Sequence, residues 1–246
     1  MSDDWDFYPL RVDDQPASIF LDLGIAKIAP IKSHLKMAYL RIQMRKPRKD
    51  GLSSQNEFDT LIALEDQVTA KIILDGANLF VGRNTSSGNR DFYFYIRDSN
   101  RFEDLARDAM GDFPTYQFET GAREDPDWQT YFEFLYPSDR SMQLIMNRRV
   151  LQQLEQNGDN LANERLIDHL VFLPNFESQM VFATGITDAK FIVDDAPKEV
   201  NGNGQLSVLF SRIDCPEQID AVVLPLFDRV TDLGGNYDGW GCEIAP

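Results

Sequence analysis

Gly234-Gly235-Asn236-Tyr237-Asp238-Gly239-Trp240-Gly241-Cys242 is the stretch on which the reading of this chain turns. Four glycines fall between positions 234 and 241. Glycine stands where φ must be positive or where another backbone comes close. Gly234 and Gly235 follow an apolar helical run that ends at Leu233, so they read as its stop. Asp238-Gly239 is a turn pair. Tyr237 and Trp240 flank it, each a large ring with a polar tip. The stretch therefore predicts an ordered closing strand over 236–243, tied down against the segment before it.

Working back from that strand, the segment after residue 158 alternates as β-α-β-β-α-β. The spacing predicts a strand at 165–173, a helix at about 175–184, strands at 190–194 and 205–213, a helix at 216–233, then the closing strand. Asn201-Gly202-Asn203-Gly204 is a tight hairpin signal. Pro216 suits the first helical position and Glu217 the positive end of the helix that follows. Pro225, inside that helical pattern, predicts a kink or an early end. The alternation predicts an α+β, ferredoxin-like sandwich.

The residues before 159 read as a second α+β sandwich. Trp5 to Phe20 reads as two strands around Asp13-Asp14-Gln15-Pro16, and His34 to Met44 as a third. Ser54 and Glu57 have capping-box spacing ahead of an apolar stripe at Phe58, Leu61, Ile62, Leu64, Glu65 and Val68. Strands at 77–81 and 91–96 flank a hairpin loop over 82–89. The second, aromatic on both faces, reads as central. Ser99 to Met110 predicts a helix stopped by Gly111. Strands follow at 116–120 and 131–136, then a helix from Pro137-Ser138-Asp139 through Leu154. The polar run 152–163, with Asn157-Gly158, marks the expected domain boundary: 1–158 and 159–246.

Tyr237-Asp238-Gly239-Trp240-Gly241 resembles the C-terminal signature of the regulator of ribonuclease E activity B family. The resemblance runs back through Arg165-Leu166-Ile167-Asp168-His169-Leu170-Val171-Phe172-Leu173-Pro174. It implies a ferredoxin-like domain that binds a ribonuclease and lowers its activity without cleaving anything itself. Trp5-Asp6-Phe7-Tyr8 and the apolar run from Ile19 to Leu23 resemble an uncharacterised bacterial domain family, which implies no function.

Composition narrows the classes. With 246 residues and 43% hydrophobic content the chain can build two cores. No stretch approaches the ~20 apolar residues of a membrane helix, and the acidic start Met1-Ser2-Asp3-Asp4-Trp5 is not a secretory signal. The expected location is the cytoplasm, where Cys215 and Cys242 would stay as free thiols. The net charge is -16. Residues 1–158 hold 25 acidic and 19 basic side chains, and residues 159–246 hold 15 and 5. Such a field repels nucleic acid and anionic membranes and attracts basic proteins; the plainer reading of the same charge is solubility.

Catalytic constellations are scarce. There is no nucleotide-binding glycine motif, no P-loop and no G-x-S-x-G elbow. His169 follows Asp168 in a strand, and adjacent strand residues point to opposite faces, so Asp168 cannot orient it. His169 and His34 read as satisfied or half-exposed structural histidines. Cys242 has no basic neighbour in sequence that would activate it. Asp13-Asp14 and Asp194-Asp195 read as turn formers rather than calcium ligands. The basic turn Arg45-Lys46-Pro47-Arg48-Lys49 reads as a solvated connection, and the aromatic strand 92–95 as core rather than a base-stacking platform. No catalytic, cofactor or metal residues are expected. The expected function is a non-enzymatic acidic protein that binds a protein partner, which the family resemblance makes ribonuclease E. Tyr237, Asp238 and Trp240 are the candidate partner-binding residues. An antitoxin-like neutralising protein, or an enzyme with a carboxylate site between the domains, are the alternatives.

Overall fold

The structure is a computed structural model and describes residues 2, 4–74, 76–194 and 200–246. The chain divides into two compact units, Met1–Ser141 and Met142–Pro246. The helix content, the strand content and two separate sheets make it an α+β protein.

The first unit holds a six-stranded sheet of β1 (Trp5–Val12), β2 (Gln15–Asp22), β3 (Lys36–Gln43), β4 (Asn78–Ser86), β5 (Asn89–Ile96) and β6 (Phe118–Glu124). They lie in the order β1-β2-β4-β5-β3-β6 with antiparallel neighbours. Asp13 and Asp14, both at positive φ, turn β1 into β2. β5 is central, as its two aromatic faces require. One face of the sheet, with Leu40, Ile42, Phe92 and Phe94, is covered by α1 (Phe58–Ile73) and α2 (Ser99–Met110) through Leu61, Leu64, Val68 and Phe102. Asp98 caps α2 by accepting from the Asn100 and Arg101 amides. Glu65, read as part of the apolar stripe of α1, is instead paired inside the unit with Arg83 at 2.6 Å and Arg90 at 3.2 Å.

Three local expectations fail here for physical reasons. The capping box does not form: Glu57 accepts from the backbone amides of Arg45 at 2.8 Å and Lys46 at 2.7 Å, while the Ser54 hydroxyl donates to the Lys46 carbonyl. The basic turn is thus pinned by its amides onto the head of α1. The loop expected over 82–89 is mostly strand, because β4 continues to Ser86 beyond a bulge near Val81 and only Ser87-Gly88 turn the chain. The strand expected at 131–136 is a π-helical turn, Thr130–Leu135. Asp125 starts it by accepting from the Gln129 and Thr130 amides, which favours helical over extended backbone.

The second unit contains α3 (Asp139–Gln156, all but its first three residues), β7 (Arg165–Leu173), α4 (Phe176–Thr187), β8 (Ile192–Val193), β9 (Leu206–Asp214), α5 (Ile219–Asp232) and β10 (Asn236–Cys242). Its sheet runs β10-β7-β9-β8, antiparallel throughout. α4 and α5 bury Phe182, Ile186, Val223 and Val230 against Ile167, Val171, Val208 and Phe210 on one face. Gly234, at φ +70°, ends α5 as its position after Leu233 predicts. Pro225 does not shorten α5: it sits on the exposed side, where water can take up the carbonyl that its missing N–H leaves free. Asn201 organises the hairpin before β9, its side-chain oxygen accepting from the Asn203 and Gln205 amides.

The division falls at 141/142 rather than after Gly158, and α3 goes with the second unit. Leu151 packs on the second core, Asn147 donates to Asp220 at 2.7 Å and accepts from Trp240 at 3.0 Å. A fragment of residues 142–246 should therefore unfold in one cooperative step, and a fragment beginning at 159 should melt lower by at least ~5 °C, the shift expected for about 1 kcal/mol in a domain this small. Equal melting temperatures by calorimetry would remove α3 from this unit.

Candidate functional site

β10 decides which side of the second sheet is buried. In a regular strand Tyr237 and Trp240, three residues apart, would point to opposite faces. The register slips between Tyr237 and Gly239, so Asp238 is an extra residue. Tyr237 then pairs with Val171 and Trp240 with His169, and both of those partners face the core. The bulge thus turns both rings inward.

The three candidate partner residues accordingly separate. Tyr237 is buried, and its hydroxyl lies 2.7 Å from His169 Nδ1. Trp240 is half-buried over the core, its indole N–H on Asn147. Of the three, only Asp238 is exposed. Nothing local in the sequence betrays the bulge that separates them.

His169 is neither satisfied nor half-exposed. It is completely buried, stacks on Phe210 at 5.2 Å, and its Nε2 has no hydrogen-bond partner. Burial pushes its pKa down to about 4, so the ring is neutral at pH 7. His34 is likewise buried, 3.0 Å from the Ser33 hydroxyl and with Nε2 unpaired, and its pKa is lowered chiefly by burial. Cys215 and Cys242 are free thiols. A basic residue does stand beside Cys242 in space, although none is near in sequence: Arg165 Nε is 3.3 Å from its sulfur. That guanidinium is also held by Asp159 through two contacts of 2.7 Å. Asp194 is exposed, and Asp195 lies outside the described residues. Among the described residues no three His, Cys, Asp or Glu side chains gather as a metal site. No helix among them is long and apolar enough to cross a membrane.

What remains accessible is the opposite face of the second sheet. Leu166 (50%), Leu209 (39%), Ile213 (65%) and Ile192 (68%) are exposed there. The register places Leu166 beside Ile213, Leu170 beside Leu209, and Ile192 beside Ser211. Leu166, Ile192 and Ile213 share one hollow with Ala189 and Lys190. On the β10 side, Gly239 and Gly241 pair with Leu170 and Asp168 and add no side chain, so the sheet is flat at that edge. Exposed apolar side chains scattered singly need no explanation; several together on one sheet face, uncovered among the described residues, are the kind of surface on which proteins meet.

The model of a family described as a family of unknown function (DUF695) matches residues 3–136. The chain belongs to that family. A second model, described as regulator of ribonuclease activity B, matches residues 144–242, which contain the bulged strand, His169 and the bare sheet face. No curated protein matches the chain. A crystal structure of an unknown protein from Galdieria sulphuraria aligns with 86% of this chain and 99% of its own at 9% identity, with a TM-score of 0.24.

Two outcomes follow from the buried face. A histidine with a depressed folded pKa contributes stability above its unfolded pKa and loses it as pH falls through the folded value. Each tenfold weakening of proton affinity on folding is worth ~1.4 kcal/mol, so the 142–246 fragment should lose about 3 kcal/mol more than a His169→Phe fragment between pH 6.5 and 4. Parallel urea-stability curves for the two would contradict a neutral buried imidazole. Trp240→Ala should cost roughly 2–4 kcal/mol, the lower part of the range for aromatic truncation because the ring is half-buried; a loss under ~1 kcal/mol would place the ring outside the core.

Proposed function

We propose that the chain is a non-enzymatic regulatory protein whose C-terminal unit binds a ribonuclease of the ribonuclease E type through the bare face of its sheet and lowers its activity. The observation that carries this reading is the exposed aliphatic set Leu166, Ile192, Leu209 and Ile213 inside the region matched by the regulator of ribonuclease activity B. Buried apolar contacts supply affinity at protein interfaces, and complementary charge supplies rate and selectivity. Residues 142–246 hold 16 acidic and 7 basic side chains, a field that draws in a basic segment and turns away RNA. The strand order of this unit supports the ferredoxin-like reading, with the helices on one face and the partner on the other.

The test is a titration of the full chain into purified ribonuclease E with a fluorescent RNA substrate, at several salt concentrations. Cleavage should slow, and association should weaken as salt screens charges beyond ~8–10 Å. The double variant Ile192→Lys and Ile213→Lys changes only exposed positions, so it should fold and bind at least ~10-fold more weakly, as loss of central contacts does. Unchanged cleavage at every salt concentration, with no complex by light scattering, would remove this partner. RNA affinity of the chain alone would remove the mechanism.

A further inference from the structure

The six-stranded sheet of the first unit has a second face, away from α1 and α2. β3, β5 and β6 bring Tyr39, Tyr93 and Arg123 together there, and the π-helical turn adds Thr130 and Phe134. With Arg41 and Asp91 these residues line a recess of about 460 Å³, the size of a small-molecule site. We propose that this recess binds a small aromatic monocarboxylate, with its ring against Tyr93 and Phe134 and its carboxylate on Arg123.

Charge selects the anion. Asp91 is buried and is held by Arg41 through two parallel bonds, Nε to Oδ1 at 2.7 Å and Nη2 to Oδ2 at 2.8 Å. Arg41 also donates to Glu119 outside the recess at 3.2 Å, so its charge is already matched. Arg123 is different. Its Nη2 donates to the Thr130 hydroxyl at 2.8 Å, and among the described residues no carboxylate lies within ion-pair distance of it. An arginine without a counter-ion at a concave site is a receptor for an anion, and it acts locally against a chain of net charge -16. The lining carries two arginines and one aspartate, which matches one negative charge and not the two of a phosphate monoester.

The walls select a flat ring. Tyr93 and Phe134 meet at 61° with centroids 5.7 Å apart, an edge contact that leaves ring surface for a third aromatic. Tyr39, beside Tyr93 in the register, adds a further aromatic wall, its ring lying across β6 at Gly121. A Cβ there would come within 2.5 Å of the Tyr39 ring, so the glycine is what lets the wall stand.

The backbone that delivers Thr130 and Phe134 is costly. A π-helical turn is rare and recurs at functional sites. It is entered through Trp128 at φ +58°, a left-handed conformation that a bulky residue adopts only when its surroundings force it. Those surroundings are specific. Trp128 stacks on Tyr95 at 3.7 Å and donates to the His34 carbonyl at 2.9 Å; Asp125 accepts from the Tyr95 hydroxyl at 2.7 Å and from two turn amides.

Calorimetric titration of the full chain tests this with benzoate and 4-hydroxybenzoate as probes. Acetate (charge without a ring), benzyl alcohol (ring without a charge), inorganic phosphate and AMP serve as the comparison arms. The two arene carboxylates should bind in the micromolar to millimolar range and the four comparison probes more weakly. Arg123→Met should weaken benzoate at least ~10-fold, the loss expected for a charge-assisted contact. Gly121→Val, which pushes Tyr39 off its wall while leaving Arg123 in place, should weaken it as well. Should Arg123→Met not fold, ring signals of Phe134 in the unmodified chain must shift during the benzoate titration. Tighter binding of phosphate or AMP than benzoate, benzoate binding indifferent to Arg123→Met, or no heat and no Phe134 shift at the highest probe concentrations would each overturn the proposal.

Discussion

A single extra residue in an edge strand governs the second unit. Asp238 breaks the alternation of β10, and both Tyr237 and Trp240 then face inward. Without the bulge one of the two rings would stand on the opposite face, because side chains alternate with a period of two. With it, Tyr237 reaches His169, Trp240 reaches Asn147 of α3, and the core gathers on one side of the sheet. The glycines around the bulge complete the device. Gly234 stops α5 at positive φ, and Gly239 and Gly241 leave the strand's outer side without bulk.

One-sided burial has a consequence for binding. A four-stranded sheet with helices on one face must present the other to solvent or to a partner. Here that face keeps Leu166, Ile192, Leu209 and Ile213 exposed in a strongly acidic unit, which costs solubility that the surrounding carboxylates restore. The first unit solves the same problem differently. It covers much of the outer face of its sheet with an aromatic turn built on Trp128 and leaves a recess beside it. The two units thus carry different kinds of concave or flat surface, and the regulatory reading draws only on the second.

Much of this was legible in the sequence, and the exceptions share a cause. The opening hairpin, the central aromatic β5, the glycine stop at 234 and the closing strand all follow from local residue chemistry. What failed depended on partners outside the short pattern being read. Glu57 had the spacing of a capping box but found the amides of Arg45 and Lys46. Residues 131–136 looked extended until Asp125 and Trp128 fixed a helical turn. The inward or outward sense of Tyr237 rested on register with β7. The bare sheet face was hidden for a related reason: Leu166-Ile167, Leu170-Val171 and Leu209-Phe210 are apolar on both sides of their strands, and such a run does not say which side stays uncovered.

The central claim is that the second unit buries one sheet face and binds through the other. Isoleucine-methyl NMR of the full chain during titration with ribonuclease E tests it most directly. The account predicts that the Ile192 and Ile213 signals broaden or shift while the buried Ile167 and Ile219 signals stay in place. Perturbation of Ile167 and Ile219 with Ile192 and Ile213 unmoved would contradict it.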